Sequence, residues 1–95
     1  MLTGKQKSFL RSEAHHLQPI FQIGKGGLTE PIIKQIEEAL EARELIKVSI
    51  LQNCEEDKNT IAEKLQEAGI EVAQVIGKIL VLYKESKEKK RIVLP

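Results

Sequence analysis

Ile20-Phe21-Gln22-Ile23-Gly24-Lys25-Gly26-Gly27-Leu28-Thr29-Glu30-Pro31 reads as a strand, a turn and the opening of a helix laid end to end. Ile20 to Ile23 is an apolar run behind Pro19, which favours extended structure. Gly24-Lys25-Gly26-Gly27 interrupts it. Glycine takes positive φ freely and, lacking a Cβ, lets another backbone come close. Thr29 or Glu30 is placed to cap the following helix, with Pro31 in its first turn, where a missing N–H costs nothing. A GxxG loop with a lysine at its tip, set at a helix start, offers open N–H groups and the positive end of a helix dipole to an anion. For a small domain of this composition the expected anion is a nucleic-acid phosphate.

Upstream, Thr3 with Gln6 forms a capping-box pattern, and Phe9, Leu10, Ala14 and Leu17 recur at helical spacing. Lys5, Lys7 and Arg11 lie off that stripe, on or near one polar face, and Pro19 is expected to end the helix. Downstream, Ile32, Ile33, Ile36, Ala39 and Leu40 give the second helix its apolar face. Leu45 to Leu51 alternates as a strand, with Ile46, Val48 and Ile50 on one side and Lys47 and Ser49 on the other. Asn53 with Glu56 is a second capping pattern, and Glu55, Glu56 and Asp57 suit the positive end of a third helix. That helix carries Ile61, Ala62, Leu65 and Ala68 and stops at Gly69. Ile70 to Ile76 and Ile79 to Tyr83 are two further strands, joined by the tight turn Gly77-Lys78.

The order α-β-α-β-α-β-β predicts a single-domain α/β sandwich, a four-stranded mixed sheet with helices packed on it. The domain is expected over residues 1–84 and a basic tail over residues 85–95. Lys84 to Arg91 reads as exposed, while Ile92-Val93-Leu94 is able to dock as a last short strand.

The chain of 95 residues is large enough for one core without staples. It shows neither the apolar leader of a secreted protein nor a run long enough to cross a bilayer, and its single cysteine, Cys54, excludes an internal disulfide. A cytoplasmic setting is the expectation, with no membrane partner. The formal charge of +1 hides an asymmetry. Residues 1–34 hold five basic and two acidic groups, residues 35–83 five and ten, and residues 84–95 five and two. If the two ends of the chain lie together, a nearly neutral protein presents a basic face.

Little supports catalysis. His15 and His16 are adjacent, so on a helix they point about 100° apart and cannot grip one metal together. One is expected to pack at the helix end and the other to face solvent. Cys54 has no His at a recognised spacing and reads as a small apolar group at a strand end. A P-loop needs GxxxxGK followed by Ser or Thr, and a dinucleotide fingerprint needs GxGxxG; position 29 is Thr, so both fail. No enzyme activity, metal, cofactor or small-molecule substrate is therefore expected. Lys25 instead suits phosphate contact, in the way the GXXG loop of a KH domain clamps a single strand. With three aromatic residues in all, Phe9, Phe21 and Tyr83, recognition should lean on backbone and shape.

Several pieces occur together and in order: Leu2-Thr3-Gly4-Lys5-Gln6, Ala14-His15, Pro19, Ile23 to Thr29, Glu44-Leu45-Ile46-Lys47-Val48, Ile76-Gly77-Lys78 and Leu82-Tyr83. As a set they resemble a CRM domain, named for chloroplast RNA splicing and ribosome maturation, and within that family the bacterial stand-alone YhbY-like form. The resemblance spans residues 2 to about 84. It implies a fold similar to the C-terminal domain of bacterial translation initiation factor three. It also implies binding to RNA, association with precursors of the large ribosomal subunit and its ribosomal RNA, and a role in assembly. Carried over by position, the RNA-binding residues are Gly24, Lys25, Gly26 and Gly27, with Lys5, Lys7 and Arg11 on the first helix. Lys47 and Lys78 are further candidates. The rival reading is a protein-interaction adaptor that docks through the surfaces of the second and third helices without touching RNA.

Overall fold

The computed structural model describes residues 2–95. Its elements are α1 (Gly4–Ala14), β1 (Pro19–Ile23), α2 (Glu30–Arg43), β2 (Leu45–Ile50), α3 (Lys58–Glu67), β3 (Glu71–Ile76) and β4 (Ile79–Tyr83), in the order expected. The four strands form one mixed sheet ordered β1-β2-β4-β3. β1 runs parallel to β2, which the α2 crossover permits, and β4 runs antiparallel to both β2 and β3. Gly77, at φ 56°, makes the β3–β4 turn.

Strand alternation divides the core in two. Ile46, Val48 and Ile50 of β2, with Leu80 and Leu82 of β4, point to the face covered by α2 and α3, where Ile36, Leu40, Ile61 and Leu65 are fully buried. Leu45, Val81 and Tyr83 point to the opposite face and pack against Leu10 and Ala14 of α1. Each Leu or Ile buried this way stabilises the fold by about 1.5–3 kcal/mol. The result is a three-layer sandwich with one helix on one side and two on the other.

Both capping-box bonds of α1 are present: Gln6 N–H donates to Thr3 Oγ1 at 3.1 Å, and Thr3 N–H to Gln6 Oε1 at 3.0 Å. The helix ends at Ala14, short of Pro19, which itself begins β1. Both His15 and His16 are exposed, so the expectation that one packs is corrected; the helix stops before either can reach the core. The start of α3 also differs from expectation. Its N-cap is Asp57, whose carboxylate accepts from Asn59 N–H at 3.0 Å, and Glu56 turns elsewhere.

Residues 84–95 form no strand. Five of their N–H groups go to two carboxylates instead of a sheet edge. Glu44, the C-cap of α2, is fully buried and sits at φ 65°, a left-handed conformation that costs a residue with a Cβ roughly 1–2 kcal/mol. Its carboxylate accepts from Ser86 N–H at 2.8 Å, Ile92 N–H at 2.9 Å and Arg91 N–H. One turn back, Glu41 accepts from the Ser86 hydroxyl at 2.7 Å and from the N–H groups of Lys87 and Glu88 at 3.0 and 3.2 Å. Burial alone would push the Glu44 carboxyl up, but the N–H groups of Arg91, Ser86 and Ile92 outweigh it and hold it below the usual range. Glu41 is lowered too, chiefly by the Lys87 N–H and then by the Ser86 hydroxyl. Ile92 and Leu94 close the α1 core from below, together with Leu2 and Phe9. Gln6 Nε2 donates to Pro95 O at 3.2 Å, so the basic first helix and the basic tail do lie together.

Candidate nucleic-acid interface

The glycine loop leaves β1 at Gly24 and closes by a hydrogen bond from Gly27 N–H to Gly24 O at 2.9 Å, with Lys25 and Gly26 exposed at the tip. Of its glycines only Gly27 has positive φ, at 70°. A Cβ there would lie 2.7 Å from Glu56 Oε1, so the position excludes a side chain on two grounds. A Cβ on Gly26 meets nothing within 4 Å, which leaves the tip open to approach.

Glu56 is the residue that sequence reasoning misplaced. Its Oε1 accepts from Leu28 N–H at 2.8 Å, just past the loop, and its Oε2 takes the Lys64 ammonium from the next turns of α3. The Lys64 contact first, and then the Leu28 N–H, hold this carboxyl below the ordinary range. Residues 28 apart in sequence are joined here, and no local pattern announces it. The loop is thus tied at its hinge, while the N–H groups of Lys25 and Gly26 donate to no acceptor among the described residues. Thr29, the N-cap of α2, makes no side-chain cap bond, so the first turn beside the loop also keeps open donors.

A groove of about 520 Å³ runs between the second half of α1 and the sheet. Arg11, Ser12 and His15 line it from the helix, and Lys47, Gln74 and Ile76 from the strands. None of the described residues lining it is acidic. Lys47 Nζ reaches His15 O at 3.5 Å, which draws the ammonium toward the helix end.

The remaining candidates are spread more widely. Lys7 is one turn before Arg11 but lines a separate hollow with Gln66 and the start of β3. Lys5 is exposed and lies roughly 200° around α1 from Lys7, so the three helix cations do not share one face. Lys78 is exposed in the β3–β4 turn and borders a hollow that also holds Glu55, Glu56 and Asp57, so its surroundings are of mixed charge. The structure therefore brings Arg11 and Lys47 together in one groove and sets Lys25 on a tied loop, while Lys5, Lys7 and Lys78 stand outside that groove. Glu37, Glu38, Glu63 and Glu67 belong to α2 and α3, on the far side of the sheet. Among the described residues no three His, Cys, Asp or Glu side chains are grouped to hold a metal ion, and no helix is long and apolar enough to cross a membrane.

These features define a small α/β module with a tied glycine loop and a cationic, carboxylate-free groove on the single-helix side of its sheet. The chain belongs to the CRS1 / YhbY (CRM) domain family, which matches residues 2–84. It is 69% identical over its whole length, and over the whole of the relative, to the "Probable RNA-binding protein YqeI" of Bacillus subtilis. It is 45% identical to an RNA-binding protein of Haemophilus influenzae, over 99% of this chain and 95% of that one. The solution structure of a hypothetical protein from Staphylococcus aureus superposes with a TM-score of 0.83 at 61% identity, covering all of both chains.

Proposed function

We propose that this protein is a non-catalytic RNA-binding module that associates in the cytoplasm with precursors of the large ribosomal subunit and acts in their assembly. The observation that carries the reading is the glycine loop, held at its hinge by Glu56, with Lys25 and two open N–H groups at its tip. Gly24, Lys25, Gly26 and Gly27 receive a phosphate of the RNA backbone, as open donors at a helix start suit an anion. Arg11 and Lys47 hold the neighbouring stretch of backbone, and Lys5, Lys7 and Lys78 add contacts at the periphery. Names of the relatives and the basic character of the α1 side support the same partner.

The test is the affinity for large-subunit ribosomal RNA as a function of salt, with Lys25→Glu beside the parent protein. The parent is expected to lose affinity steeply as salt rises. Lys25→Glu should bind on the order of tenfold more weakly at low salt while melting as the parent does, since a loop-tip change away from packed groups alters stability by under about 0.5 kcal/mol. Equal affinity in the two proteins would remove the loop from the interface. Salt-sensitive co-sedimentation with immature large subunits tests the assembly role. Association that survives nuclease treatment would favour a protein partner instead.

A further inference from the structure

The helix α1 covers only part of its sheet face. Leu45 and Tyr83, at one end of that face, are 7% and 5% exposed, and Val81 in the middle is 1% exposed. The last cross-strand row is Gln22, Ser49, Ile79 and Ile76, paired in that order across β1, β2, β4 and β3. Gln22 is exposed, Ser49 and Ile79 are half-buried, and Ile76 is 50% exposed. This row runs into the cationic groove at Ile76, and its strands lead directly into the glycine loop at Gly24 and the Lys78 turn.

We propose that this open row is a docking floor for unpaired bases, so that the RNA bound here is single-stranded at this place; the inference rests on the RNA-binding reading above. A row whose apolar part is Ile76 and Ile79, bordered by Arg11 and Lys47 and leading through β1 into the Lys25 loop, has two chemistries side by side. A nucleotide strand has the same two, phosphates along one edge and flat, weakly hydrated base faces along the other. A duplex turned toward the row would bring phosphates and ribose hydroxyls against Ile76 and Ile79 and leave those apolar surfaces without a fitting partner. Bases laid on the isoleucines instead remove apolar area from water on both sides. Gln22 and Gln74 flank the floor, and each carboxamide both donates and accepts, which matches the mixed edge of a base. The absence of aromatic side chains from this row makes aliphatic contact, rather than ring stacking, the mode of docking.

The experiment compares the parent protein, Ile76→Ser and Gln22→Ala against three probes by fluorescence anisotropy. The probes are a mixed-sequence RNA oligonucleotide, the same strand annealed to its complement, and the same strand made abasic over its central nucleotides. Both substituted positions are solvent-facing, and unchanged melting temperatures establish that the fold is kept. The parent is expected to prefer the intact single strand to the duplex and to the abasic strand. Ile76→Ser should weaken binding of the intact strand about five- to tenfold, with a smaller loss for Gln22→Ala. Neither change should alter the abasic strand's affinity or the salt slope, because phosphate contacts are untouched. Equal affinity of both variants and the parent for the intact strand overturns the proposal, and so does duplex binding as tight as single-strand binding. If the parent binds none of the probes while Lys25→Glu also leaves ribosomal RNA binding unchanged, the RNA-binding reading falls and takes this proposal with it.

Discussion

The loop at Gly24 to Leu28 and the segment at residues 84–95 are the two long irregular stretches that carry basic residues, and carboxylates hold both. They are held to different degrees. Glu41 and Glu44 take the N–H groups of Ser86, Lys87, Glu88, Arg91 and Ile92, along with the Ser86 hydroxyl, so the tail is held at five N–H groups and packs Ile92 and Leu94, half-buried, against the α1 core. Glu56 takes a single loop N–H, that of Leu28, and leaves the tip open. A segment held at several points along its length is part of the scaffold; one fixed only at its hinge has the donors of its tip left for a ligand.

The largest expected effect falls on the tail. Glu44→Ala strands three N–H donors around a buried site and should cost about 2–4 kcal/mol, read from urea denaturation. A cost no greater than that of removing Glu56 would break the contrast. Next comes Gly27→Ala, which meets both the positive φ and the Glu56 carboxylate, at about 1–3 kcal/mol, with weakened RNA binding in the same preparation. Glu56→Gln keeps an acceptor for Leu28 but loses the ion pair with Lys64. It should cost about 1 kcal/mol or less, and because the bond to Leu28 is kept, affinity for RNA should fall less than in Gly27→Ala. The smallest effect near neutrality is that of pH. The carboxyls of Glu41, Glu44 and Glu56 all lie below their ordinary value of 4.5 in the folded protein, so the unfolded chain binds more protons on acidification. Their stabilisation is complete above that value and is lost as pH falls below it through the lowered folded values. Amide protection, taken relative to the intrinsic exchange rate at each pH, should be flat between about pH 5 and 7 and then fall at Ser86, Ile92 and Leu28 in acid.

Much of this was legible in the chain. The alternation of Ile46, Val48 and Ile50 against Lys47 and Ser49 placed β2, and the Thr3–Gln6 box placed the start of α1, because both depend on neighbours within a few residues. The Gly24–Gly27 turn was readable for the same reason, and the family resemblance, carried by an ordered set of short pieces, proved correct. Three features were not readable. Glu56 looked like a partner for Asn53 until the fold brought Leu28 to it. Ile92-Val93-Leu94 is able to dock as a short strand on its apolar run alone, which does not reveal that Glu44 already takes the N–H groups of Arg91 and Ile92. Lys5, Lys7 and Arg11 were counted as one face, yet helix geometry separates Lys5, and only Arg11 meets Lys47, through a groove that α1 and the sheet make jointly.

Tyr83 lies in the core shared by α1 and the tail, 5% exposed, and its hydroxyl is pushed above its ordinary value of 10.0 by burial and then by the nearby carboxylates of Glu44 and Glu85. The chain has no tryptophan and no other tyrosine. Its near-ultraviolet spectrum therefore comes almost wholly from one phenol ring, placed where the tail closes over the core. Release of the tail would expose that ring and bring its ionisation back toward 10.0, so an absorbance titration in alkali records, without any label, whether the clasp is shut.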